Sequence, residues 1–129
     1  MKRYFGMLGS FFGLLSVVLG AIGAHALAPH LTSDQLTSFE IGVKYQMYHA
    51  ILMILMTFVT FSKKHMQKLM FIFLSLGIIF FSWSIFLLST NDLTSLDFSS
   101  IFWITPFGGF LLIFAWLLLF FNFYKKNNN

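Results

Sequence analysis

The sequence predicts an all-α fold: an integral membrane four-helix bundle with both termini on the cytoplasmic side (N-in/C-in). Hydrophobic residues make up 58% of the 129 residues and charged residues only 9%, whereas soluble domains carry about 25% charged residues. In water, such a composition would expose large apolar patches. The apolar residues also form four long runs, and the basic and acidic residues stand at alternate ends of those runs. We therefore expect lipid to be the solvent of this chain.

Residues 1–129 are expected to form a single transmembrane domain. A helix needs about 20 apolar residues to cross the hydrocarbon core, and the predicted spans cover about residues 4–27, 41–62, 69–89 and 104–124. The second span is the least apolar, because Lys44, Gln46 and His49 lie near its start. The fourth is predicted to begin with Thr105 as N-cap and Pro106 at the first helical position, since both residue types favour those places.

The connection between the first two spans, about residues 31–40, is polar and is predicted to be an extracellular amphipathic helix. Two capping-box patterns begin there, at Thr32 and at Thr37. Leu36 and Phe39 fall on one face of such a helix. It is either separate from the second span or continuous with it.

The positions of the charges predict the orientation, because lysine and arginine accumulate on the cytoplasmic side. Seven of the eight basic residues lie on one side of the spans: Lys2, Arg3, Lys63, Lys64, Lys68, Lys125 and Lys126. All four acids lie on the other side: Asp34, Glu40, Asp92 and Asp97. Lys44 is the exception, and its long side chain can reach outward from a helix end. A three-helix arrangement would break this alternation.

Composition and spacing disfavour several other classes of protein. The absence of cysteine excludes disulfides and thiolate metal sites. The net charge of +4 comes from short basic clusters between apolar runs, which are typical of membrane anchors rather than of nucleic-acid binding. Lys2-Arg3 and Ala24-x-Ala26 resemble a signal peptide. However, the first apolar run exceeds the roughly 7–15 residues of a signal core, so we expect it to remain as a helix.

Small residues at helical spacing predict where the helices touch, because apolar burial does not drive helix association in lipid. The first span carries such a stripe at an average spacing near 3.5 residues, the period of left-handed helix pairs. Ser75, Ser82 and Ser89 in the third span stand seven residues apart, as do Gly108, Ala115 and Asn122 in the fourth. The candidate packing residues are Gly9, Gly13, Ser16, Gly20, Gly23, Gly108 and Gly109.

Polar residues from all four spans are predicted to converge on the outer half of the membrane. The candidate cluster is His25, Tyr45, Gln46, His49, Ser82, Ser84 and Thr105. Intramembrane polar groups of this kind hydrogen-bond between helices and fix their register. Alternatively, they form a proton or solute path, since histidine titrates near neutral pH. Haem ligation by two shallow histidines and zinc binding without a third ligand are less favoured, and neither a metal nor a cofactor is predicted.

Three segments resemble motifs of a known family. They are residues 20–27 (GAIGAHAL), 45–50 (YQMYHA) and 105–109 (TPFGG), and the family is that of uncharacterised small membrane proteins that includes bacterial YgdD and YwdK. Its usual third-span motif, FSGSLY, reads FSWSIF here, with Trp83 in place of glycine and Phe86 in place of tyrosine. The resemblance implies a multi-pass, four-helix protein of the bacterial plasma (inner) membrane without an established activity. It directs attention to His25, Gln46 and His49.

The function that these observations favour is non-enzymatic. No complete catalytic constellation is found, so we expect the protein to act by packing against a membrane-protein partner, against membrane lipids or against a second copy of itself. No nucleic-acid partner is expected. The alternative is a small transporter or proton pathway that uses the outer His/Gln cluster.

Overall fold

The computed structural model describes residues 1–126, and this part of the chain contains helices and turns but no strand, which confirms the all-α prediction. The helices are α1 (Lys2–Ile22), α2 (Ser33–Leu55), α3 (Lys64–Ile78), α4 (Ser84–Ser89) and α5 (Ile104–Lys126). Two π-helical turns, Gly23–Leu27 and Ile79–Trp83, extend α1 and join α3 to α4; two 3₁₀ turns, Asn91–Leu93 and Ser99–Ile101, lie before α5. In the described part, three continuous helices are long and apolar enough to cross a membrane: Lys2–Leu27, Lys64–Ser89 and Ser99–Lys125.

The fourth long helix, α2, differs from the predicted 41–62 span at both ends. It begins at Ser33, so the amphipathic connector is continuous with it, and the capping box forms between Thr32 and Gln35. It ends at Leu55 rather than Ser62. The hydroxyl of Thr57 donates to the Ile54 carbonyl, and a threonine side chain bonded in this way competes with the helical ladder.

The start of α5 also corrects one prediction. Helix α5 already begins at Ile104, so Thr105 is not its N-cap. Pro106 lies within the first turn, where the missing N–H has no helical partner to lose. Thr105 is thereby free to bond sideways to a neighbouring helix.

Helix α2 lies in the middle of the bundle. It packs against α1 on one side and against α4 and the second π-helical turn on the other, while α5 packs against α3 and the same turn. Phe5 of α1 meets Phe71 of α3 edge to face, with ring centroids 5.2 Å apart. The amide of Asn122 donates to the Thr60 carbonyl and its oxygen accepts from Ser62. The starts of α1 and α3 and the end of α5 therefore share one end of the bundle.

The two ends of the bundle carry opposite charges. Lys2, Arg3, Lys64, Lys68 and Lys125 lie at the end just described. At the other end, the Gln35 side chain donates to the Asp92 carboxylate over 2.7 Å, which joins the start of α2 to the loop after α4.

Small residues allow close approach of α1 to α2. A Cβ atom on Gly9 would lie 2.8 Å from the Ala50 carbonyl oxygen, a distance that real Cβ atoms do not reach. The nearest atoms to a Cβ on Gly13 and on Gly20 are more distant: Ala50 at 4.0 Å and Val43 at 3.6 Å, respectively. The stripe thus follows α2 along its length and is tightest at Gly9.

The second π-helical turn is the site of the closest approach by α5. A Cβ on Gly108 would collide with the backbone of Phe80 and Phe81. At Gly109 the nearest atom is in the Phe81 ring, at 3.5 Å, which is an ordinary contact. Gly42 against Phe86 and Gly77 against Leu112 are two further close contacts that the spacing analysis did not single out.

These neighbouring glycines give a matched pair of substitutions. We expect Gly108→Ala to destabilise the protein by about 1–3 kcal/mol, the usual cost of overpacking, because backbone atoms cannot move aside. Gly109→Ala adds the same methyl group to the same helix and is expected to change the thermal midpoint in detergent very little. Equal effects of the two substitutions would contradict the contact at Gly108.

Candidate functional site

In the described part of the chain, the residues of the predicted polar cluster do not all lie close together. His49 of α2 is 5% exposed, and both of its ring nitrogens are engaged. Nδ1 lies 2.7 Å from the Tyr45 carbonyl oxygen one turn earlier, and the Trp116 indole N–H of α5 donates to Nε2 over 3.2 Å. A carbonyl only accepts and an indole N–H only donates. The imidazole is therefore neutral, with its proton on Nδ1.

Gln46 joins α2 to α1 and is fully buried. Its amide nitrogen donates to the Phe12 carbonyl over 3.2 Å, and the same carbonyl accepts the Ser16 hydroxyl over 2.9 Å. The two polar side chains thus share one acceptor in the middle of α1. Ser16, predicted as a packing residue, is buried at this contact.

Ser84 and Thr105 form the third polar contact. Their hydroxyl oxygens are 2.6 Å apart, which links α4 to the first turn of α5. The Ser84 hydroxyl also donates back to the Phe80 carbonyl. Thr105 lines an open cleft of about 340 Å³ at the acidic end of the bundle, together with Asp34, Ser38 and Ser89.

Two buried polar atoms have no hydrogen-bond partner among residues 1–126: the Gln46 Oε1 oxygen and the Ser82 hydroxyl. Gly42 meets Phe86 and Tyr45 meets Phe81, so α2 runs antiparallel to the π-helical turn. That register places Ser82 near the level of Gln46. An unpartnered polar group costs about 1–3 kcal/mol when buried, so these two atoms are the least satisfied part of the interior.

The remaining members of the predicted cluster, Tyr45 and His25, are both exposed. Tyr45 is 42% exposed and its ring stacks on that of His49. The two rings, with Phe81, Gly109 and Trp116, line a lateral cleft of about 300 Å³ between α2 and α5. His25 is exposed on the first π-helical turn. The polar residues therefore form three separate contacts rather than one cluster.

Sequence reasoning missed two residues of these contacts. Trp116 lies in an apolar run, and only its N–H group, which seeks an acceptor when shielded from water, hinted at a polar role. Asn122 was grouped with small packing residues, but its amide forms three hydrogen bonds to the loop between α2 and α3. An asparagine near the end of a lipid-facing helix was a signal of such a contact.

The chemistry available to this arrangement is limited. Within the described part of the chain, no three His, Asp or Glu side chains come close enough to hold a metal ion. At the acidic end, hydrogen bonds from the hydroxyl and backbone N–H of Ser99 hold the pKa of Asp97 below its ordinary value. Asp97 therefore stays ionised, and in this loop it serves to order the turn before α5.

Comparison with known proteins identifies the family of this chain. A family model described as "Protein of unknown function (DUF423)" matches residues 19–109. The chain belongs to this family. The DUF423 match contains all seven residues of the predicted polar cluster and ends before Trp116.

Relatives of this chain carry membrane-protein names. A UPF0382 membrane protein of Staphylococcus haemolyticus is 32% identical over 123 residues, which cover 95% of this chain and 97% of the relative. YwdK of Bacillus subtilis is 32% identical, with 91% and 93% covered. YgdD of Escherichia coli is 29% identical, with 92% and 87% covered. The resemblance to the YgdD and YwdK family is confirmed, and no solved structure matches the chain.

The two departures from the DUF423 third-span motif have different surroundings. Trp83 is 41% exposed, so the large ring in place of glycine points away from the helix contacts. Phe86 is buried and fills the space beside Gly42 and Phe39, with ring centroids 5.0 Å apart in the latter pair. Phenylalanine there serves packing and leaves no hydroxyl to satisfy.

The His49–Trp116 contact predicts a coupling that a double-mutant cycle measures. We expect Trp116→Phe to destabilise the wild-type protein but to have much less effect in a His49→Phe background, with a coupling of about 0.6 kcal/mol, typical of hydrogen bonds between membrane helices. Thermal unfolding of the four proteins in detergent provides the measurement.

The control for that cycle is Trp103→Phe, which changes an exposed tryptophan of the loop and should show no coupling to His49. If Trp116→Phe has the same effect in both backgrounds, the hydrogen bond between α2 and α5 is refuted.

Proposed function

We propose that this chain is a non-enzymatic membrane protein of the bacterial plasma membrane, which crosses it four times with both termini in the cytoplasm. It acts through its surface, by contact with lipids, with a partner membrane protein or with a second copy. The observation that carries this proposal is the use of the interior polar groups: His49, Gln46 and Ser84 each bond to a neighbouring helix. Groups committed in this way hold helices together and are not free to act on a substrate.

The outward face of α2 supports a fourth crossing. Its mean hydropathy is lowered by polar residues, yet Gln46 and His49 face the interior. After Lys44, the exposed face of α2 is covered by large apolar or aromatic side chains: Tyr45, Tyr48, Ile51, Ile54 and Leu55. Such a face suits lipid, with the polar atoms shielded by the neighbouring helices.

The separation of charges supports the orientation. Apart from Lys44, the basic residues whose side chains the structure describes share the end of the bundle that holds the starts of α1 and α3, and the acids occupy the opposite end. The positive-inside rule assigns the basic end to the cytoplasm. The name of YgdD as an inner membrane protein of Escherichia coli agrees with the proposed location.

Because the sequence has no cysteine, single cysteines test this topology without background. Three exposed positions are suitable: Ser38 in α2, His65 in α3 and Ser100 before α5. With a membrane-impermeant maleimide on intact cells, we expect Ser38→Cys and Ser100→Cys to be labelled and His65→Cys to be labelled only after lysis. The positive-inside rule is the physical reason for this pattern.

The other labelling patterns are each informative. Labelling of His65→Cys alone in intact cells would indicate the opposite orientation, with both termini outside the cytoplasm. Labelling of both Ser38→Cys and His65→Cys, with Ser100→Cys protected, would mean that α2 does not cross the membrane.

A second candidate function is transport of protons or small solutes along a pathway that uses polar residues in the outer half of the membrane. The unpartnered Gln46 Oε1 and Ser82 hydroxyl favour it, together with the open cleft at Thr105. Flux in liposomes that Ser82→Ala abolishes, and that Ser75→Ala leaves unchanged, would favour this candidate. Ser75 is a suitable control because its hydroxyl is bonded to the Phe71 carbonyl of its own helix.

A further inference from the structure

An apolar groove opens on the bundle surface between α1 and α3. Its volume is about 530 Å³, and its walls are Tyr4, Met7, Leu8 and Phe11 of α1 with Phe71 of α3. The four α1 residues have the i, i+3, i+4, i+7 spacing of one helical stripe. Tyr4, Met7 and Phe11 are each more than half exposed. The groove therefore presents a continuous apolar surface to a flexible chain lying alongside the protein.

Basic residues surround one end of this groove. Arg3 directly precedes Tyr4, and Lys68 lies one turn before Phe71, on the same side of its helix. Lys64 lies one further turn from the groove. These three side chains are exposed, and the contact between Phe5 and Phe71 holds the two helix starts together.

All four acidic side chains of the sequence lie at the other end of the bundle, so no aspartate or glutamate offsets this positive mouth. Both helices also point their N-termini, the positive ends of their dipoles, toward it. Neither terminus is capped by a side chain. The mouth of the groove thus attracts an anion, while its body accepts only apolar groups.

We propose that this groove is a binding site for an anionic phospholipid. One acyl chain lies along Met7 and Phe11, and the phosphate rests among Arg3, Lys64 and Lys68. Tyr4 stands at the boundary, where its amphipathic ring suits the headgroup level. The proposal deepens the proposed function, since it names lipid as one of the contacts through which the protein acts.

A second surface cleft serves as an internal contrast. It has about 280 Å³ and is lined by Phe80, Trp103, Ile104 and Phe107, but it lies near the acidic end. It is apolar without a basic mouth. The charge at the groove, rather than apolarity alone, therefore distinguishes the proposed lipid site.

Native mass spectrometry of the full-length protein in mild detergent tests the site. Phosphatidylglycerol and phosphatidylcholine with the same acyl chains are added in turn. We expect one phosphatidylglycerol to bind in preference to phosphatidylcholine. The variant Arg3→Gln/Lys64→Gln/Lys68→Gln should weaken phosphatidylglycerol binding about tenfold or more and remove the preference.

Two further variants separate the parts of the site. Met7→Ser/Phe11→Ser changes exposed groove residues and should weaken both lipids. Lys44→Gln removes a basic residue at the opposite end and should change neither. Circular dichroism and the thermal midpoint establish that each variant is folded before its binding is compared.

Equal binding of the two lipids, or an unchanged preference in the triple variant, would overturn the proposal. So would equal competition by glycerol 3-phosphate, because the groove would then contribute nothing. Such a failure leaves the topology untouched, since cysteine labelling measures the topology independently. A reversed labelling pattern would likewise leave a measured lipid preference standing.

Discussion

The bundle is arranged around one constraint: its central helix, α2, is too polar to face lipid on all sides. A polar group in hydrocarbon costs several kcal/mol unless it is satisfied. The Gln46 amide nitrogen and the His49 imidazole meet this requirement through partners on two different helices, the Phe12 carbonyl of α1 and the Trp116 indole of α5. Within the described residues, the Gln46 Oε1 oxygen does not. The helix with the weakest membrane signal thus holds the other helices in place.

Close backbone approach makes these hydrogen bonds possible. Gly9 brings α1 against the Ala50 carbonyl, one residue from His49, and Gly108 brings α5 against the second π-helical turn. π-helical turns often occur at functional sites. Here the first lies within residues 20–27, which resemble a family motif, and the second overlaps the altered third-span motif at residues 81–83. In this structure the second turn has a packing role, because its backbone is the surface against which α5 begins.

Much of the fold was predictable because the relevant signals are local. Long apolar runs, the capping box at Thr32 and the separation of Lys and Asp residues are visible in short windows of sequence. The end of α2 at Leu55 was not, since the following residues are as apolar as the helix itself. The dispersal of the cluster was not predictable either. Gln46 bonds to the Phe12 carbonyl, and His49 precedes Ala50, which faces Gly9 and Gly13. Both therefore lie level with the first half or middle of α1, far from His25 near its end. The depth of one helix against another, and the face that each side chain occupies, depend on helix register and rotation, which spacing alone does not fix.

The tautomer of His49 tests most directly whether the polar side chains of α2 are hydrogen-bonded to the neighbouring helices. In protein labelled with ¹⁵N-histidine, nitrogen NMR distinguishes protonated from unprotonated ring nitrogens, and the His49→Phe spectrum assigns the signal. The structure predicts a neutral imidazole with the proton on Nδ1 and an Nε2 that accepts a hydrogen bond, which Trp116→Phe should shift. A proton on Nε2 would contradict the account, because the Trp116 N–H would then face another donor.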